Sequence, residues 1–277
     1  MPELPEVETI VRGLRRKVEG RVISKTWGIP TSKSLVGKRI LSVRRRAKYL
    51  VLSLEDGSTV LVHLGMTGRL LYSDSLRQAS KHTRAFFIFE NGGQLTFDDA
   101  RKFGKIKLYR REHTIPEIEG LGPEPLEPGF SVQALARVME KTKRRVKDLL
   151  MDQRVIAGLG NIYVHEILFA SGVHPFAPSC SLPQRAVRSL HENIKEVLKR
   201  AIAKRGTTLS DYRDVEGREG TFQDSLQVYQ REKCPRCDSA IERVKLSGRS
   251  TYYCPRCQRV QTCPSVEIEE TSAHEPG

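Results

Sequence analysis

The chain has 277 residues, 38% of them hydrophobic and 29% charged. That is a globular balance, and the length suits more than one hydrophobic core. No apolar run nears the roughly 20 residues of a spanning helix. The opening Met1-Pro2-Glu3-Leu4-Pro5-Glu6 lacks the basic start and apolar stretch of a secretory signal. The chain therefore reads as cytoplasmic, with no membrane partner. Its net charge is +14. Residues 1–125 carry 23 basic against 14 acidic residues, and residues 126–263 carry 24 against 15. An excess on both halves points to a polyanion contacted by the whole molecule. A basic but merely solvated surface is the alternative reading.

In chain order, Val7, Ile10, Val11, Leu14 and Val18 predict an amphipathic helix. Pro5 suits its first turn, and Glu6 and Glu8 sit at the favourable end of its dipole. Strand-like runs follow at Ile40–Arg46, Tyr49–Leu54, Thr59–Leu64, Arg69–Tyr72, Ala85–Glu90, Gln94–Phe97 and Ile106–Tyr109. Turn signals such as Asp56-Gly57 and Asn91-Gly92-Gly93 separate them, the spacing of a β-sandwich or barrel. Residues 120–130 are rich in Gly and Pro and read as a linker. The period then becomes helical. Ser131 caps a helix through about Glu140, and Arg144–Asp152, Asn161–Ser171 and Gln184–Lys204 continue the pattern, the last closed by Gly206. Residues 207–224 read as a long mobile loop. The expected organisation is α+β and multidomain. Its units are a sandwich with its helix (1–119), a linker (120–130), a helical unit (131–226), a cysteine unit (227–260) and a disordered acidic tail (261–277).

Cys234-Pro-Arg-Cys237 and Cys254-Pro-Arg-Cys257 are two C-x-x-C knuckles separated by sixteen residues. Four thiolates so spaced suit one tetrahedral Zn2+, and a closed site of this kind is structural. Ile241–Leu246 and Ser250–Tyr253 then form a hairpin with Ser247-Gly248-Arg249 at its tip. So short a segment needs the metal to fold. Cys180 and Cys263 lie outside the spacing.

Other segments are ambiguous taken alone. Gly158-Leu-Gly-Asn161-Ile-Tyr163 is either a helix–helix turn or a phosphate site at a helix start. His63–Gly68 and Asp98–Gly104 each set a large apolar residue, Met66 or Phe103, in a glycine-flanked loop. Such residues either pack in a core near a turn or unstack a duplex. Lys48, after Arg44–Arg46, reads as part of a solvated strand face.

Taken together and in this order, Pro2–Thr9, Arg45–Leu50, His63–Gly68, Gly158–Tyr163 and the terminal finger resemble the bacterial formamidopyrimidine-DNA glycosylases. The resemblance runs from residue 2 to about 260. It implies an N-terminal β-sandwich, a helix–two-turns–helix domain and a zinc finger, with damaged double-stranded DNA bound between them by a monomer. It implies base-excision repair in a bacterial cytoplasm, at the nucleoid. Oxidised purines are excised through a Schiff base, and the strand is then cleaved by β,δ-elimination. By position, Pro2 resembles the nucleophile once Met1 is removed, and Glu3 the acid assisting base departure. Lys48 resembles the catalytic lysine, and Arg249 the finger arginine on the phosphate beside the lesion. Met66, Arg101 and Phe103 resemble the residues that fill the gap and wedge the opposite strand, and His82 and Asn161 resemble phosphate contacts. A further phosphate lysine is expected among Lys141, Lys143 and Lys147. Two segments depart from the family pattern, Ala100 and Lys102 in the Phe103 loop and Thr83-Arg84 after His82. The acidic tail has no counterpart.

The chemistry accords with these roles. A terminal amine titrates near 7.7–8.0 and a lysine near 10.4, so about 10–15% of the former is neutral at pH 7 against about 0.04% of the latter. A Pro2 amine thus has up to about a 300-fold advantage as nucleophile, while Lys48 serves better as a charged donor. Two rivals remain. A non-catalytic zinc-dependent DNA-binding protein explains the charge but not the Pro-Glu start. The sister branch resembling endonuclease VIII prefers oxidised pyrimidines, and Leu4 and the 207–224 loop favour the purine branch.

Overall fold

Helix α1 (Leu4–Val18) forms where the apolar spacing places it, with Pro5 in its first turn and the Glu3 N–H donating to the Glu6 carboxylate at 2.7 Å. The computed structural model describes residues 1–29, 32–111 and 114–259. The acidic tail and Cys263 lie outside the described residues. Val7, Ile10, Val11, Leu14 and Val18 enter the core of a β-sandwich, but Leu4 enters a second, helical core. The first turn of α1 therefore sits where two cores meet.

The sandwich has two antiparallel sheets. One has the order β1 (Ile23–Trp27), β6 (Thr83–Phe89), β7 (Gln94–Asp98), β5 (Arg69–Ser73). The other runs β2 (Ile40–Arg46), β3 (Tyr49–Leu54), β4 (Thr59–His63), β8 (Lys105–Tyr109). Alternation sets one face of each inward: Leu50, Leu52 and Leu54 of β3 are buried, as are Ala85, Phe87 and Phe89 of β6. Seven strands lie where the alternation predicts. β1 was not anticipated, because Ile23 alone of its five residues is buried and no alternation shows.

Short helix α2 (Pro116–Glu119) leads into the irregular segment 120–130. The helical unit follows: α3 (Val132–Glu140), α4 (Val146–Met151), α5 (Asn161–Ala170) and α6 (Gln184–Ala203). Ser131 Oγ caps α3, accepting from the Ala134 N–H at 3.2 Å. Helix α5 is buried on nearly every side, consistent with its run of apolar residues. Gly206 ends the chain reversal after α6 with φ +80 and donates to Ala201 O at 2.8 Å.

Of the expected mobile loop 207–224, residues 207–221 are irregular but not loose, and Phe222–Ser225 form a short 3-10 helix with Phe222 buried. Thr207, Thr208, Tyr212 and Val215 are buried, and Tyr212 and Val215 join the sandwich core. Arg69 Nε donates to Asp211 O at 2.6 Å, and the Tyr72 N–H to Val215 O at 2.8 Å. The segment thus straps the sandwich to the helical unit. The finger is a hairpin of β9 (Glu242–Leu246) and β10 (Arg249–Tyr253). Its turn is only Ser247-Gly248, both at positive φ, so Arg249 is the first residue of a strand and not part of the tip. Among the described residues no helix is long and apolar enough to cross a membrane.

Candidate active site and zinc centre

A cleft of about 840 Å³ opens between the two cores, and Pro2, Glu3, Lys48, Met66, Asn161 and Arg249 all line it. Residues from opposite ends of the sequence thus share one surface. Phe103 lines a smaller adjoining depression of about 260 Å³ with Tyr49 and His63, which also line the cleft. His82 and Arg101 line neither, and both are exposed.

Pro2 is buried and Met1 half exposed at the cleft. With Met1 in place the Pro2 nitrogen belongs to a peptide bond; its removal leaves a secondary amine facing the cleft. Glu3 is held by the start of α5, where its carboxylate accepts from Ile162 N at 2.9 Å and Tyr163 N at 3.4 Å. These bonds decide between the two readings of Gly158–Tyr163. A Cβ on Gly160 would lie 2.3 Å from Glu3 Cδ, and one on Gly158, at φ +88, 2.8 Å from Leu4 Cβ. The glycines admit the N-terminal segment. Glu3 takes up the Ile162 and Tyr163 N–H groups at the helix start, so they are not free for a phosphate. Asn161 stays in the cleft, its Nδ2 donating to Ser250 O at 3.2 Å.

Glu3 is 3% exposed and Glu6 2%. Burial pushes Glu3 above the ordinary carboxylate value against the pull of Lys48 and the two backbone donors. Burial, and then the Glu3 charge, push Glu6 up to about 7. Glu6 also accepts from Thr207 N at 2.7 Å and from the Tyr163 hydroxyl. It therefore joins the Glu3 backbone, α5 and the 207–221 strap. Sequence reading gave Glu6 a helix-dipole role only, because its partners are 157 and 201 residues away.

Lys48 is not on a solvated strand face. Arg46 pairs with Tyr49 across the sheet, so Ala47 and Lys48 form the β2–β3 turn, with Ala47 at φ +51. Glu124 clamps that turn, accepting from Ala47 N at 2.6 Å, Arg45 at 2.5 Å and Arg46 at 3.0 Å. Lys48 lines the cleft and is 7% exposed. Burial, with Arg249 nearby, lowers its pKa against the attraction of Glu3 and Glu6. The cleft therefore narrows the margin that free-amine values give Pro2 over Lys48. Lys141 and Lys143 are exposed, whereas Lys147 is 1% exposed and donates to Thr251 Oγ1 at 2.6 Å. Burial holds Lys147 down to about 8.

Met66 and Phe103 are 43% and 51% exposed, so neither is a core residue. The Arg101 guanidinium lies 4.9 Å from the Phe103 ring centre.

The four cysteines of the finger bring their sulfurs within 4.8 Å of one another. Cys237 lies 3.5 Å from both Cys254 and Cys257, and Cys234 lies 3.7 Å from Cys257. Tetrahedral zinc with Zn–S near 2.3 Å requires sulfurs about 3.8 Å apart. Cys234, Cys237, Cys254 and Cys257 thus fit one zinc ion, which fixes the fold of the finger and leaves no open position for chemistry.

Comparison with known proteins covers nearly all of the chain. Three family profiles match in order: the formamidopyrimidine-DNA glycosylase N-terminal domain over residues 1–106, the H2TH domain of the same enzymes over 121–213, and the zinc finger found in FPG and IleRS over 231–260. The formamidopyrimidine-DNA glycosylase of Desulforamulus reducens is 43% identical, covering 94% of this chain and 100% of the relative. That of Chloroflexus aurantiacus is 41% identical, over 93% and 98%. The crystal structure of MutM (Fpg) from Thermus thermophilus superposes with a TM-score of 0.85 at 40% identity, covering 94% of this chain and 100% of that one. Lactococcus lactis Fpg in complex with abasic-site DNA gives 0.86 at 34% identity, over 93% and 99%.

Proposed function

The chain belongs to the formamidopyrimidine-DNA glycosylase family, and from that premise we propose how its cleft removes an oxidised purine from DNA. It is a base-excision repair enzyme, a DNA glycosylase with abasic-site lyase activity. It acts as a monomer on damaged double-stranded DNA and carries one structural zinc. Nucleoid association in the cytoplasm belongs to the proposal and follows from the DNA substrate. So does the division at residues 119, 130, 226 and 260, which the sandwich, helical and finger cores support, although Leu4, Phe169, Tyr212 and Val215 pack across it.

The damaged nucleotide is rotated out of the stack, because a base inside a duplex cannot be reached. Met66 fills the gap, Phe103 and Arg101 wedge the opposite strand, and His82 and Asn161 bind phosphates on either side. The Pro2 amine, freed of Met1, attacks C1′, and the bond to the base breaks. Glu3 delivers a proton to the sugar ring oxygen as the ring opens, the role to which its burial suits it. Lys48 donates from its charged form, and Arg249 neutralises the phosphate that leaves during elimination. The observation that carries this reading is the meeting of Pro2, Glu3, Lys48 and Arg249 in one cleft, although they come from the amino terminus, a sandwich turn and the finger. Borohydride trapping on an 8-oxoguanine duplex tests it, since only an imine intermediate is reduced to a stable cross-link.

Two consequences follow for the finger and the wedge. Cys254→Ser is expected to lose the zinc and with it DNA binding, while the sandwich and helical cores stay folded. Metal analysis and circular dichroism check this, and a fully active enzyme without zinc contradicts it. Phe103→Ala is expected to slow excision from a duplex by about tenfold or more, because unstacking costs a few kcal/mol. Its stability should change by no more than about 0.5 kcal/mol, as at other exposed positions. A loss of about 3–5 kcal/mol, typical of a core aromatic, would remove Phe103 from the wedge.

A further inference from the structure

Asp99, directly after β7, is 1% exposed although it sits among exposed loops. Its Oδ1 accepts from Thr67 Oγ1 at 2.5 Å and from Arg101 N at 3.2 Å, and its Oδ2 accepts from Gly104 N at 2.7 Å. The Thr67 hydroxyl in turn accepts from Arg101 N at 3.2 Å. Thr67 adjoins Met66, while Arg101 and Gly104 bracket Phe103. One carboxylate therefore ties two loops that are distant in sequence and that carry all three wedge residues. The backbones also touch, since a Cβ on Gly65 would lie 2.6 Å from Gly104 N and from Phe103 C. The main chain of Asp99 extends the junction to a third loop. Its N–H donates to His82 O at 2.9 Å, and its carbonyl accepts from Arg84 Nε at 3.0 Å.

Among these groups only Asp99 can accept at several points at once, because a carboxylate offers about four lone-pair sites and no donor. Burial alone would raise its pKa, but the donors from Thr67, Gly104 and Arg101 outweigh burial and keep it ionised. The effect is to lock the loop backbones while leaving the Met66 and Phe103 side chains exposed. Such preorganisation removes the entropy that two independent loops would lose on entering DNA.

We propose that Asp99 is a positioning residue that makes Met66, Arg101 and Phe103 enter the duplex as one rigid wedge. The proposal rests on the wedge reading of those three residues. It differs from a simple turn-stabilising role in predicting coupling between the two loops. Asp99→Asn keeps the volume but replaces one acceptor by an amide donor, so an N–H then faces the Gly104 or Thr67 donor. Thr67→Val cuts the link between the loops while leaving Asp99 to hold its own.

The test uses the zinc-loaded enzyme and a duplex with 2-aminopurine beside 8-oxoguanine, together with a preformed abasic site in a single strand. Met66→Ala, Phe103→Ala and the double variant are compared with and without Asp99→Asn, and again with Thr67→Val. With Asp99 and Thr67 intact, the second wedge substitution is expected to cost less than about threefold once the first has cost about tenfold, the non-additivity of groups that act as a unit. With Asp99→Asn or Thr67→Val, the two costs become independent and multiply. The 2-aminopurine fluorescence rise then slows by about tenfold, while single-strand cleavage stays within about twofold, because the wedge serves the duplex alone. If Asp99→Asn fails to fold, Thr67→Val decides. Unchanged coupling, or equal losses on duplex and single strand, would overturn the role of Asp99. Wild-type rates for Met66→Ala and Phe103→Ala would overturn the wedge reading itself.

Discussion

Replacing Glu3 by Gln is expected to lower excision of 8-oxoguanine from a duplex by about 100- to 10,000-fold, the range for loss of a positioned acid. Cleavage at a preformed abasic site should stay within about tenfold of wild type, because there the sugar already exposes an aldehyde and needs no acid to lose a base. Gln keeps the size of the side chain, and its carbonyl can still accept from the Ile162 N–H, so the fit at the start of α5 survives. What disappears is the transferable proton. Burial raises the Glu3 pKa, so the protonated fraction persists to higher pH than for an exposed glutamate. Wild-type excision should therefore fall on the alkaline side as Glu3 ionises, and that limb should vanish in Glu3→Gln. Rates on both substrates across pH check the split. Equal losses on both substrates, with DNA binding retained, would instead make Glu3 a residue that positions the amine.

Blocking the amine at Pro2 is expected to have the larger and broader effect. Retained Met1 or an amino-terminal tag turns that nitrogen into a peptide nitrogen, which can form no imine. Both excision and abasic-site cleavage should then be lost, with zinc content and DNA binding retained. The side-chain amine left lining the cleft is that of Lys48, and where Met1 is merely retained its own α-amine lines the cleft as well. Burial lowers the Lys48 pKa against the pull of Glu3 and Glu6, so any residual cross-link is mapped to tell Lys48 from the terminus.

Much of this architecture is legible in the residues themselves. α1, seven sandwich strands and the long helices follow their hydrophobic periods, and the zinc ligands follow from cysteine spacing, because both signals are local. The proposed catalytic residues are legible only through resemblance. Nothing local distinguishes Lys48 from a solvated lysine; the turn that carries it is clamped by Glu124, 77 residues from the Ala47 N–H, and the groups that face it are Glu3, Glu6 and Arg249. The strap at 207–221 read as a loose loop because its polar residues satisfy partners in α1 and the sandwich, which no local pattern reveals. Asp99 and Glu6 were invisible for the same reason. Each is a buried carboxylate whose meaning lies in donors brought to it by the tertiary fold.

The central claim is that the nucleophile is the Pro2 amine, and borohydride trapping followed by mapping of the cross-link tests it most directly. Enzyme freed of Met1 and the same chain with its terminus blocked are each incubated with an 8-oxoguanine duplex and with an abasic duplex, reduced, and digested. The account requires a cross-link on the amino-terminal peptide at Pro2 in the free enzyme, on both substrates, and none in the blocked protein. A cross-link in the blocked protein, mapped to the peptide containing Lys48, would contradict it.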